Sequence, residues 1–155
     1  MRTTGVSLAM ILVVALGCRS DEDLAFAEVQ ARGQAAMGVD QYTSSHVFEP
    51  LSDGGRIVLQ RDLDDPGGVA QIRRHMTRIA VAFSAGDFRL PGFVHARDVP
   101  GTAVMRERRA AITYLADTLP RGAQLRIRAA DRDAVRAVHQ FLAFQRHDHR
   151  AGASH

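Results

Sequence analysis

A chain of 155 residues, 46% hydrophobic and 24% charged, has room for one self-stabilising domain and little more. All 20 basic residues are arginine against 17 acidic ones, and the formal charge of +3 is too small to argue for nucleic acid. The absence of lysine excludes a Gly-x-x-x-x-Gly-Lys phosphate loop, and the single cysteine excludes an intramolecular disulfide and a zinc ribbon.

The chain opens with Arg2 and an apolar stretch from Val6 to Gly17, broken only by Ser7. At about 12 residues this stretch is too short to span a membrane but suits the core of a signal peptide. Cys18 follows at once, and Ala15-Leu16-Gly17-Cys18 resembles a lipobox with its first two positions exchanged. The expectation is a signal peptide over 1–17 and a lipidated Cys18 that anchors an exported protein, two or three acyl chains giving stable attachment where one is marginal.

Residues 18–36 read as an acidic tether leading into a weak helix through Leu24, Phe26 and Val29, interrupted by Gly33 and Gly38. Residues 37–150 read as a single α+β domain and 151–155 as a tail. Within the domain, Thr43–Pro50 and Arg56–Arg61 flank Ser52-Asp53-Gly54-Gly55, a turn sequence, and predict a hairpin. Asp64-Asp65-Pro66 marks a helix start, and Val69, Ile72, Met76, Ile79 and Phe83 recur at three- and four-residue steps as one apolar stripe. Asp87 to Gly101, with Pro91, Gly92 and Pro100, reads as a loop, followed by an arginine-rich segment from Thr102 to Arg109. Ile112–Leu115 and Ala123–Ala129 predict a second hairpin, with Leu125 and Ile127 inward and Arg126 and Arg128 outward. Asp131 or Asp133 caps a last helix with Val135, Val138, Phe141 and Leu142 on its apolar side. The order suggests a ββα unit used twice: a two-layer α+β sandwich of one four-stranded antiparallel sheet with both helices on one face.

Seven histidines are the main chemical resource. None shows the His-Glu-x-x-His spacing, but imidazole suits copper and zinc and thioether suits cuprous copper. Met37, His46, His75, His95 and Met105 are therefore the candidate metal ligands, with Met76 assigned to the core. Asp40, Gln41 and His46 form one polar cluster on which a small enzyme could be built. Arg126 and Arg128, with Arg56 and Arg61, could make a basic sheet face for lipid head groups or acidic polymers. That face lacks the stacking aromatics of a nucleic-acid reader.

Several runs resemble a family of small bacterial proteins of unassigned function. They are Met37-Gly38-Val39-Asp40-Gln41, His46-Val47-Phe48, Asp53-Gly54-Gly55, Ala85-Gly86-Asp87-Phe88, Val94-His95, His139-Gln140-Phe141-Leu142 and Asp148-His149-Arg150. The resemblance spans about residues 32 to 152. It implies one domain of constant length, a second histidine position at Val47, and no particular activity. The leading expectation is a non-catalytic, lipid-anchored envelope domain that binds a small ligand or a partner protein and no nucleic acid. The alternatives are a copper- or zinc-binding periplasmic protein and a small enzyme around Asp40, Gln41 and His46.

Overall fold

The computed structural model describes residues 20–151; the expected signal peptide, Cys18 and the chain beyond residue 151 lie outside them. Two β-hairpins build the sheet. Strands β1 (Ser44–Leu51) and β2 (Gly54–Arg61) form the first, β3 (Ile112–Leu119) and β4 (Gly122–Ala129) the second. All pairings are antiparallel, in the order β1-β2-β4-β3. The two hairpins match residue for residue, each closing on a two-residue turn, Leu51 opposite Gly54 and Leu119 opposite Gly122. Gly122 has its reason in the sheet, because a Cβ there would stand 1.9 Å from the Leu59 carbonyl oxygen of β2.

Each hairpin is followed by an amphipathic helix, α2 (Pro66–Ser84) and α5 (Arg132–Asp148). The predicted start signals operate as expected: Asp65 and Asp131 accept from the backbone N–H of Gly68 and Ala134, and Pro66 needs no donor in the first turn. Both helices cover the same sheet face, each lying chiefly over the hairpin of the other unit, α2 on β3 and β4 and α5 on β1 and β2. Ile57, Leu59, Leu125 and Ile127 of the central strands meet Ile72, Met76, Val138, Phe141 and Leu142 in one buried core. Val47 and Leu115 remain on the opposite, uncovered face, as an antiparallel sheet permits.

Two expectations are corrected. The stretch read as a tether and interrupted helix is one continuous helix, α1 (Asp21–Met37), capped by Ser20 and ended by Gly38 in the left-handed conformation. Gly33 does not break it; a Cβ there would meet the Gln41 side chain at 3.0 Å, so glycine permits that contact. The helix packs on the domain, and Arg32 donates from Nε to the Val94 carbonyl at 2.7 Å. The loop expected over 87–101 contains a short helix, α3 (Arg89–His95), because Pro91 falls in its first turn, where proline is tolerated. The arginine-rich segment is also helical, α4 (Thr102–Glu107), and packs on α5.

Candidate functional site

Between α1, α2, α3, α5 and the β1-β2 hairpin lies a cavity of about 90 Å³. Its walls are mostly Met, Ile, Leu, Phe, Val and Pro side chains, and four imidazoles, His46, His75, His95 and His149, reach it from four different elements. His46 arrives from β1 by strand alternation, sharing the inward face with Ser44 and Phe48. His75 comes from α2 at the edge of the apolar stripe, His95 from the last turn of α3, and His149 from the C-cap of α5.

Three of the rings, those of His46, His95 and His149, are in contact. His46 and His149 stack with centroids 5.5 Å apart and an interplanar angle of 12°, and His149 meets His95 edge-on at 5.1 Å. Phe48 stacks on both His46 and His149. Burial lowers the pKa of His46 and His75 to about 4 each and that of His149 to about 3, since the charged form has no water to solvate it. Neighbouring charge adds to this: Arg78 opposes protonation of His75, and His46 and His95 oppose that of His149. Asp62 favours a proton on His46, and Asp148 one on His149, without overcoming burial. At neutral pH all three are uncharged, each with a free nitrogen lone pair.

Their hydrogen bonding divides the four histidines. Nδ1 of His95 donates to Asp148, which also accepts from Arg97 at 2.7 Å, and Nε2 of His95 pairs with the Gln145 amide at 3.0 Å. Both nitrogens of His95 are thus engaged, and its ring is held in one orientation. By contrast, His46 Nε2, His75 Nδ1 and His149 Nδ1 are buried without a partner, as is Gln41 Oε1. An unmatched buried polar atom costs about 1–3 kcal/mol; Gln30 Oε1, Thr43 Oγ1, Gln71 Oε1 and Tyr114 OH are also unpartnered but stand outside this cavity, so what sets the imidazoles apart is their convergence on one space.

Asp148→Ala should accordingly destabilise the domain by roughly 1–3 kcal/mol, because it leaves a buried imidazole N–H unsatisfied. Urea unfolding at pH 7 measures this. A loss below about 0.5 kcal/mol, the size of an ordinary surface substitution, would show that the pair does not hold His95.

The candidates from the sequence separate clearly. Met37, His46, His75 and His95 all line the cavity, while Met105 does not: it is fully buried in the core, where α4 packs on α5. Met76, assigned to the core, also contributes to the cavity wall. Among the described residues, no three His, Cys, Asp or Glu side chains stand close enough together to hold one ion. Of the polar cluster, Gln41 and His46 line the cavity, but the Asp40 carboxylate accepts from the Tyr42 N–H in a local turn. Among the described residues no Ser, Thr, Cys, Lys, Asp or Glu lines the cavity, so these walls offer no usual oxygen, sulfur or amine nucleophile. Val47 points to the uncovered face, so a second histidine there would not reach the cavity.

The expected basic sheet face is corrected at Arg61 and partly paired elsewhere. Arg126 is tied to Asp53 and donates to the Gly55 carbonyl at 2.9 Å, and Arg128 stands 3.9 Å from Asp53. Arg56 pairs with Glu49. Arg61 is not on that face at all; it points inward, is 8% exposed, and holds the Asp40 carbonyl, Ser44 and Asp65. Carboxylates thus offset part of the charge of this face, but Arg126 and Arg128 share the one carboxylate of Asp53, and Arg128 stays largely exposed. The residue missed by the sequence reading is His149, although Val138, Leu142, Gln145 and His149 continue one stripe at three- and four-residue steps.

No family model matches the chain, and no curated protein or solved structure is similar to it.

Proposed function

We propose that this chain is an exported, lipid-anchored envelope protein whose domain binds a small ligand in the imidazole-lined cavity without catalysing a reaction. The observation that carries the binding reading is the set of three neutral imidazoles, His46, His75 and His149, with buried unpartnered nitrogens on one apolar cavity. Pockets for small ligands combine apolar walls with a few convergent polar atoms, and the walls here have that composition. The missing nucleophile and the engagement of Asp40 in a turn favour binding over catalysis. Support for export and anchoring comes from the apolar stretch Val6–Gly17 and Cys18 directly after it. Among the described residues no helix is long and apolar enough to cross a membrane.

The test uses the full chain, produced in an exporting bacterial host. Cys18→Ser is expected to release it from the membrane fraction, and retention there would remove the anchor. Ring-nitrogen NMR then follows the histidines against two small probes: phenol for hydrogen bonding and Cu(I) for coordination. Saturable shifts at His46, His75 and His149, with exposed His147 unchanged, support the reading; no shift with either probe overturns it.

A further inference from the structure

We propose that the ligand of this cavity is a single Cu(I) ion, held by His46 Nε2 and His149 Nδ1 together with thioether sulfur from the cavity methionines Met37 and Met76. The inference rests on the cavity being a binding site and names what occupies it. His46 and His149 are chosen because their rings are in contact, they come from different elements, and each has a buried nitrogen with no partner. His95 is excluded as a ligand because Asp148 and Gln145 take both of its nitrogens. It instead packs edge-on against His149 and helps fix that ring.

The charge of the site selects the ion. Among the described residues no carboxylate lines the cavity, so a divalent ion would bring two uncompensated charges into an apolar wall, which is costly. A monovalent ion brings one. Cu(I) is soft, accepts imidazole and thioether donors together, and is satisfied by two or three of them. The absence of three closely grouped His, Cys, Asp or Glu ligands among the described residues therefore counts against zinc more than against Cu(I). Apolar walls also keep water from the ion.

The experiment uses the metal-free full chain carrying Cys18→Ser, so that the thiol does not compete, titrated anaerobically with Cu(I) against the chelator bicinchoninate. One equivalent is expected to bind. His46→Phe and His149→Phe keep a ring in place and remove its nitrogens, and each is expected to weaken binding by more than about 100-fold, beyond the range of outer-shell changes. His147→Ala should leave affinity unchanged. X-ray absorption should show both nitrogen and sulfur neighbours, the sulfur disappearing in Met37→Leu/Met76→Leu. Circular dichroism of the metal-free variants confirms that they are folded, and if a phenylalanine variant is not, His46→Gln and His149→Gln replace them. The proposal is overturned if the chelator retains all the Cu(I), or if folded ligand variants bind as tightly as the parent. Phenol shifts without Cu(I) binding overturn the copper assignment and leave the binding site standing; silence to both probes removes both.

Discussion

Between pH 7 and pH 5 the metal-free domain should lose on the order of 5 kcal/mol of stability, about 2 kcal/mol for each of three histidines. His46 and His75 have folded-state pKa values lowered to about 4 and His149 to about 3, against 6.5 for an unperturbed histidine. Below 6.5 the unfolded chain takes up protons that the folded one refuses. The stability due to burying neutral imidazoles is therefore complete above pH 6.5 and is lost as pH falls toward 4 and then 3. The charges around them do not cancel this. Asp62 and Asp148 favour protonation of His46 and His149 but are outweighed by burial, while Arg78 opposes it at His75 and so acts with burial. The carboxylates with lowered pKa, Asp23, Asp53, Asp65 and Asp87, titrate below this window and do not confuse it. A domain stability of about 5–15 kcal/mol would be cut by a large fraction. Urea unfolding at pH 7, 6 and 5 measures the slope, and His46→Phe/His149→Phe should flatten most of it. A parent protein equally stable at pH 7 and 5 would mean that these rings are solvated.

Phe141→Ala is expected to cost about 3–5 kcal/mol, the largest effect of a single truncation considered for this fold. Phe141 is 1% exposed and meets Phe83 at 5.9 Å and Phe88 at 6.4 Å between ring centroids, both edge-on. Its removal loses the transfer free energy of the ring and two aromatic contacts, and it joins new empty volume to a cavity that is already present. The site has little freedom to collapse, because β2, α2 and α3 each contribute rigid wall residues. Thermal unfolding at pH 7 should fall by roughly 10 °C or more for a domain of this size. Phe93→Ala, at a ring 53% exposed, should change it little. Similar losses at the two positions would contradict the packing described.

Much of the fold was legible in the sequence. Alternation in His46-Val47-Phe48 and in Leu125-Arg126-Ile127 set which side of each strand faces the core, and the stripe from Val69 to Phe83 set the inner face of α2. Asp65 and Asp131 marked helix starts because their side chains satisfy N–H groups that the helix leaves open. Where the local reading failed, a distant partner decided the outcome. Gly33 stays helical because Gln41 packs on it. Arg61 turns inward because the Asp40 carbonyl, Ser44 and Asp65 satisfy its guanidinium. The Pro91-Gly92 segment coils into α3, which is packed against α1.

The sequence by itself determined the two ββα units, their inward faces and the supply of histidines, because each depends on periodicity and on caps within a few residues. Only the tertiary structure decided that His46, His75 and His149 share one cavity while His95 is bound to Asp148 and Met105 lies elsewhere. Those residues are separated by up to about a hundred positions along the chain, and no local rule fixes how α5 and α2 cross the sheet. The placement of each helix over the opposite hairpin brings the end of α5 to β1. It thereby converts a histidine at a helix terminus into part of a buried site.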